Sequence, residues 1–182
     1  AIGLVFYEPS PRHIEIDQAC TISQTIPAFV TKTALFVNPD KAYVNKVLDS
    51  VAIDLLQFHG DESAEFCQQF GKPYMKAVRM KETTDLDALA KQFKQSCGLL
   101  LDAYVAGIPG GTGEQFNWNW IPKEFDLPII LAGGLTSNNV KQAIQTASPW
   151  AVDVSGGVEA AKGIKSPEKI NQFMQQVMST VE

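Results

Sequence analysis

The sequence predicts an α/β fold of the (β/α)8 TIM-type barrel class. Short apolar runs alternate along the chain with stretches that have the periodicity of amphipathic helices. The runs are almost continuously apolar, which is typical of parallel strands covered on both faces. Successive runs start roughly 20 to 30 residues apart, about the length of one β/α unit of such a barrel. No break in composition divides the chain, so we predict a single domain over residues 1–182.

Seven strands and six helices follow from this alternation. The predicted strands are residues 2–6, 33–37, 55–58, 74–78, 98–101, 129–132 and 151–154. The predicted helices are residues 16–24, 41–49, 63–70, 86–93, 138–146 and 167–178, with a shorter helical turn at residues 119–124. Ser166 and Pro167 are a favoured N-cap and first helical residue for the last helix. A closed barrel of this class has eight units, so the sequence predicts that seven of the eight are present and that the first β/α unit is absent from this chain.

Composition and charge exclude several classes of function. The formal net charge is −5 and the lysines and arginines are scattered, so we predict no binding of nucleic acid. No apolar run approaches the roughly 20 residues that cross a bilayer, and no signal peptide is recognisable, so we predict a cytoplasmic protein without membrane contact. Cys20, Cys67 and Cys97 lack metal-ligand spacing and are predicted to be reduced, with no metal bound.

In a parallel barrel the active site lies at the carboxyl ends of the strands, so the residue after each apolar run is a candidate. Arg12 follows the first run, in a loop that Pro9 and Pro11 stiffen. Its guanidinium group suits a carboxylate or a phosphate. The alternative is an exposed surface arginine without a ligand.

Gln57 and His59 lie at the end of the third run, where they alternate with Leu56 and Phe58. Both side chains can therefore point into the barrel mouth. His59 titrates near neutrality, which makes it a candidate acid or base. The plainer interpretation, which we favour, is a hydrogen-bonded polar residue that lines the substrate pocket.

Asp102 ends a run of three leucines after the fifth strand. Desolvating a carboxylate is costly unless it is paired or protonated, so a buried carboxyl group favours its protonated form. A general acid needs that proton, and Asp102 is therefore a candidate catalytic residue. The alternative is a structural aspartate or a helix cap.

Two glycine turns follow the last two predicted strands, and they indicate a phosphate site. The first contains Gly133 and Gly134, and the second contains Ser155, Gly156 and Gly157. Glycines let backbone amides approach phosphate oxygens closely, and a serine adds a hydroxyl group. Another glycine-rich segment, residues 110–113, lacks the Gly-Lys-Ser/Thr ending of a nucleotide P-loop and is predicted to be a mobile loop over the barrel mouth.

Six motifs occur in this order: Phe-Tyr-x-Pro-Ser-Pro-Arg, Gln-x-His-Gly-Asp-Glu, Leu-Leu-Asp, Gly-Gly-Thr-Gly-x-x-Phe-x-Trp, Leu-Ala-Gly-Gly-Leu and Val-Asp-Val-Ser-x-Gly-Val-Glu. Together they resemble the phosphoribosylanthranilate isomerase family of tryptophan biosynthesis, from residue 1 to about residue 178. The resemblance implies an Amadori rearrangement of a small phosphorylated aminoaldose, with neither cofactor nor metal, by a monomer or homodimer.

The resemblance also implies a role for each candidate. Asp102 would be the general acid that protonates the ribose ring oxygen, and Arg12 would hold the anthranilate carboxylate. The two glycine turns would bind the phosphate, with Gln57 and His59 in the pocket. The family's general base is a cysteine in a Lys-x-Cys-Gly pattern on its first strand, and this sequence lacks that pattern. We therefore expect these 182 residues alone to be inactive as an isomerase.

Three alternative functions are also compatible with these residues. Indoleglycerol-phosphate synthase would need a catalytic lysine at a strand end, and the motifs around Lys76 do not match that family. A histidine-pathway sugar isomerase uses two opposed aspartates, one of them on the first strand. A non-catalytic phosphoribosyl-binding barrel is the third alternative. The Pro-Ser-Pro-Arg and Gly-Gly-Thr-Gly motifs favour the isomerase.

Overall fold

The structure is a computed structural model that describes residues 1–103 and 115–180. Its contacts divide the chain into two compact units. The first unit comprises Ala1–Ala77 with Gln95–Cys97, and the second comprises Val78–Lys94 with Gly98–Glu182. Strand β4 (Tyr74–Met80) begins in the first unit and ends in the second.

The first unit contains parallel strands, paired in chain order, with a helix after each of the first three. Leu4 of β1 pairs with Ala34 of β2, Ala34 pairs with Leu56 of β3, and Leu56 pairs with Tyr74 at the start of β4. Strand-helix alternation of this kind is what parallel pairing requires, because the chain must return to the same end of the sheet. The elements are β1 (Ile2–Val5), α1 (Ile16–Thr25), β2 (Lys32–Phe36), α2 (Lys41–Ser50), β3 (Leu55–Phe58) and α3 (Ala64–Gln68).

Aromatic and aliphatic side chains from these strands form the core of the first unit. Phe36 stacks on Phe6 and on Phe58, with ring centroids 5.5 and 6.2 Å apart. Val44 and Val47 of α2 are fully buried. Side-chain caps start α2 and α3, because Asp40 accepts a hydrogen bond from the Tyr43 amide and Ser63 accepts one from the Phe66 amide.

The second unit contains three further parallel strands in chain order. Leu101 of β5 pairs with Leu131 of β6, and Ile130 of β6 pairs with Ala151 of β7. A small antiparallel hairpin, β8–β9, follows β7 and leads into the last helix. The elements are α4 (Leu86–Gln92), β5 (Leu99–Ala103), a 3-10 turn (Trp118–Trp120), β6 (Ile129–Leu131), α5 (Val140–Ala147), β7 (Ala151–Val152), a second 3-10 turn (Gly156–Val158), β8 (Glu159–Ala161), β9 (Ile164–Lys165) and α6 (Pro167–Met178).

The seven predicted strands and six predicted helices are confirmed, with ends that shift by a few residues. The predicted turn at residues 119–124 was misplaced. It lies at Trp118–Trp120, because the Asn117 side chain caps it and Pro122 disfavours helical geometry in the residue before it. The hairpin and the turn at Gly156–Val158 were not predicted. Within the described residues, no helix has the length and apolar character needed to cross a membrane.

Candidate active site

Asp102 is the carboxyl group at the centre of the second unit's candidate site. It lies near the end of β5, whose three preceding leucines are fully buried and fix the strand in the core. Only 6% of Asp102 is exposed, and its Oδ1 accepts a hydrogen bond of 2.8 Å from the Ala103 amide. The prediction of a buried carboxyl group at this strand end is therefore confirmed.

The first glycine turn, which follows β6, packs directly against Asp102. Gly133 and Gly134 have φ angles of +80° and +62°, a conformation that side chains other than glycine rarely adopt. A Cβ atom at Gly133 would lie 2.6 Å from the Ala103 amide nitrogen and 3.0 Å from Asp102 Oδ1. Glycine is therefore required here both for the backbone conformation and for the close approach to the carboxyl group.

The second glycine turn, which follows β7, packs against the first. A Cβ atom at Gly157 would overlap the carbonyl oxygen of Leu135, which comes directly after Gly134. Gly156 is exposed, and Ser155 is half-buried. The structure thus brings Asp102 and both predicted turns together at the carboxyl ends of β5, β6 and β7, where backbone amides are available to an anion.

Two polar side chains that the sequence interpretation missed hold these turns. Asn139 donates from Nδ2 to the Gly134 carbonyl at 2.9 Å and accepts from the Thr136 amide at 2.8 Å. Lys165 of β9 donates from Nζ to the Ser155 carbonyl at 2.9 Å and pairs with Glu159 at 3.0 Å. Neither residue directly follows a predicted strand, so neither was among the candidates predicted from the sequence.

In the first unit, the loop that carries Arg12 folds back onto β1. The Ser10 amide donates to the Tyr7 carbonyl at 2.9 Å, and the Arg12 amide donates to Ser10 Oγ at 3.1 Å. The Ile14 amide then donates to the Val5 carbonyl at 3.0 Å, which closes the loop. These hydrogen bonds fix the Arg12 backbone, and the residue is half-buried.

Gln57 and His59 lie side by side and are both buried, with 5% and 7% of their surface exposed. The Gln57 Nε2 and His59 Nδ1 atoms are 3.1 Å apart. The His59 amide also donates to the Phe36 carbonyl at 2.8 Å, which fixes the backbone. The two side chains therefore lie on the same side of the chain, and their place in the barrel mouth stays a prediction.

A buried ion pair supports the segment around His59, and sequence reasoning missed it. Lys76 Nζ lies 3.1 Å from Glu62 Oε2, and the two side chains are only 6% and 2% exposed. The Lys76 ammonium group also donates to the carbonyls of Phe58 and Gly60, at 3.2 and 2.6 Å. Glu62 accepts from the Gly60 amide, so the pair holds the backbone on both sides of His59. The only signal was the Gly-Asp-Glu motif, which does not reveal its lysine partner.

The predicted mobile loop at residues 110–113 lies outside the described residues. All three cysteines are free. Cys20 lies in α1, Cys67 lies in α3, and Cys97 precedes β5.

Comparison with known proteins identifies relatives that match nearly the whole length of this chain. Residues 1–176 match the family described as PRAI: N-(5'phosphoribosyl)anthranilate (PRA) isomerase. The N-(5'-phosphoribosyl)anthranilate isomerase of Pseudomonas syringae pv. syringae (strain B728a) is 53% identical over 180 residues, which cover 99% of this chain and 87% of the relative.

Solved structures agree with the sequence match. The crystal structure of phosphoribosyl anthranilate isomerase from Thermotoga maritima has a TM-score of 0.87 at 32% identity, covering 97% of this chain and 87% of that one. A PRAI structure in complex with reduced 1-(o-carboxyphenylamino)-1-deoxyribulose 5-phosphate has a TM-score of 0.81 at 30% identity, covering 97% and 86%. Because the match extends over nearly the whole chain in both sequence and structure, this chain belongs to the N-(5'-phosphoribosyl)anthranilate isomerase family.

Proposed function

We propose that the protein isomerises N-(5-phosphoribosyl)anthranilate to 1-(o-carboxyphenylamino)-1-deoxyribulose 5-phosphate, the Amadori rearrangement of tryptophan biosynthesis. The observation that carries the proposal is the buried Asp102 carboxyl group packed against the Gly133 turn, with the Gly157 turn beside it. Family membership supports it. So does similarity to a structure that holds a reduced form of this product.

Asp102 is the proposed general acid. Opening the ribose ring requires a proton on the ring oxygen as the C1′–O bond breaks, and the nitrogen lone pair then forms a Schiff base. Asp102 is suited to this step by its position, because its buried carboxyl group lies directly against the turn proposed to bind the phosphate of the same substrate. The hydrogen bond from the Ala103 amide fixes one carboxyl oxygen and so sets the direction of the group.

The two glycine turns are the proposed phosphate site. Gly133, Gly134, Gly156 and Gly157 leave their amides without side-chain cover, and Ser155 adds a hydroxyl group. Binding through neutral amides is also compatible with a net charge of −5 on a chain that must take a dianionic phosphate group. In the first unit, we assign Arg12 to the anthranilate carboxylate and Gln57 with His59 to the substrate pocket.

The proposed reaction also needs a general base, and none of the three cysteines is suited to that role. Burial and the nearby Glu62 carboxylate raise the pKa of the Cys67 thiol to about 12, so it remains protonated at neutral pH. Cys20 lies in α1, where its Sγ donates to the Ser50 carbonyl, and Cys97 lies before β5 rather than after it. The family's Lys-x-Cys-Gly pattern is absent from these 182 residues, so we expect them to be inactive without a segment that supplies it.

We propose that β1 to β7 are seven of the eight strands of a closed barrel, and that a further β/α unit completes the barrel as a single domain. Helix α6 supports this, because Ile170, Met174 and Met178 are spaced as one stripe and are 38%, 49% and 66% exposed. The free cysteines fit a cytoplasmic location, and we expect a monomer or homodimer without cofactor or metal.

The test combines binding with turnover. We expect the protein to bind the reduced product analogue, and we expect Asp102→Asn to retain that binding because the phosphate turns remain. In a longer chain that carries the Lys-x-Cys-Gly pattern, Asp102→Asn should lower turnover by about 100- to 10,000-fold, as loss of a general acid does. Asp126→Asn, at an exposed position in the same unit, is the control. Absence of analogue binding by the unsubstituted protein would contradict the proposed function.

A further inference from the structure

We propose that Lys165 is a positioning residue for the phosphate turn, and that its charge tunes the affinity of that turn for phosphate. The inference rests on the proposed function, because it requires residues 155–157 to bind the phosphate. Lys165 belongs to the β8–β9 hairpin, which no motif in the sequence predicted.

The contacts of the Lys165 ammonium group converge on one peptide. Nζ donates to the Ser155 carbonyl at 2.9 Å and lies 3.5 Å from Ser155 Oγ. Because the peptide group is planar and trans, its C=O and N–H point in opposite directions. Fixing the Ser155 carbonyl therefore also fixes the direction of the Gly156 N–H, which points away from Lys165. That amide is one of the proposed phosphate donors.

The third contact sets the charge balance at the turn. Lys165 Nζ lies 3.0 Å from Glu159 Oε1, and the Glu159 side chain is only 5% exposed. While the pair is intact, the two charges largely cancel. Removing the ammonium group would take one positive charge from beside the Glu159 carboxylate, and the turn, which must accept a dianion, would then lie in more negative surroundings.

The hairpin has other anchors, so the role of Lys165 can be separated from folding. The Ser166 amide donates to the Val158 carbonyl at 2.9 Å, and Lys169 Nζ donates to the Glu159 carbonyl at 2.7 Å. These hydrogen bonds hold β8, β9 and the start of α6 without Lys165. A merely structural role would make loss of either member of the Lys165–Glu159 pair equally harmful. The proposed role predicts opposite effects.

The test measures binding of inorganic phosphate by 31P NMR titration at low ionic strength. Lys165→Met should weaken binding by about tenfold or more, because it removes a charge-assisted hydrogen bond and exposes the ligand to Glu159. Glu159→Gln should bind phosphate at least as tightly as the unsubstituted protein, with a steeper loss of affinity as salt is added. Lys162→Met, at an exposed lysine in the hairpin turn, is the matched control and should remain within about twofold.

The outcomes distinguish this inference from the proposed function. If the unsubstituted protein binds phosphate and Lys165→Met binds it equally well, the role of Lys165 is wrong while the phosphate site stands. If the unsubstituted protein does not bind phosphate, the site itself is wrong and the inference falls with it. Should Lys165→Met fail to fold, Glu159→Gln decides alone: tighter binding supports the inference, and weaker binding overturns it.

Discussion

Single residues in this chain are constrained most strongly where a strand end meets a glycine turn. Gly133 shows two constraints at once, a φ of +80° and a Cβ position 2.6 Å from the Ala103 amide. Gly71 has the first constraint without the second, because its φ is +62° and nothing lies within 4 Å of its Cβ position. Comparing Gly133 with Gly71 therefore separates the cost of backbone conformation from the cost of crowding Ala103 and the Asp102 carboxyl group.

We expect Gly71→Ala to lower the free energy of unfolding by about 1 kcal/mol, the cost of the left-handed conformation alone. Gly133→Ala should cost about 2–4 kcal/mol, since crowding adds to the same backbone strain. It should also weaken phosphate binding, because the turn must shift away from Ala103. Urea denaturation of both variants measures the difference, and equal costs would show that the turn relaxes without resistance.

At the level of secondary-structure elements, the loop after β3 owes its shape to the buried Glu62–Lys76 pair. Two charges that are 2% and 6% exposed are costly to desolvate, and they persist because Lys76 also donates to the carbonyls of Phe58 and Gly60. This arrangement places His59 between two fixed peptides. The pair of Lys32 and Asp54, at 3.9 Å, is much less buried, with side chains that are 20% and 49% exposed.

Lys76→Met should therefore lower the free energy of unfolding by about 3–5 kcal/mol, because it leaves the Glu62 carboxylate buried without its cation. Lys32→Met, the matched surface change, should cost no more than about 1 kcal/mol. Denaturant titrations of the two variants make the comparison. A Lys76→Met cost as small as that of Lys32→Met would mean that the loop relaxes and lets water reach Glu62.

Whether a feature could be predicted from the sequence depends on whether it is encoded by neighbouring residues or by residues far apart in the chain. Strands and helices were predictable because periodicity is local, and Asp102 was found because it directly follows three leucines. The Glu62–Lys76 pair joins residues 14 positions apart, and nothing local marks Lys76 as the partner. The β8–β9 hairpin was not predicted because its strands are short and three of their five residues are alanine or lysine, without an apolar run.

For the molecule as a whole, buried groups with raised pKa values set how stability depends on pH. The pKa of Cys67 rises from 9.0 to about 12 in the folded protein, chiefly through burial. Between these values the unfolded thiol loses its proton while the folded thiol keeps it. The unfolded state therefore binds fewer protons, and stability falls as pH rises.

We expect the free energy of unfolding to decline above about pH 9, by as much as about 1.4 kcal/mol per pH unit from Cys67. Burial also raises the pKa values of Tyr43 and Tyr74, which adds a decline of the same sign. Cys67→Ala removes the cysteine contribution and leaves the tyrosines, so its curve between pH 9 and 11 should be shallower than that of the unsubstituted protein. Cys97→Ala, at an exposed cysteine, should leave the slope unchanged. Urea denaturation across this range decides the matter, and parallel curves for all three proteins would show that Cys67 ionises as readily in the folded chain as in the unfolded one.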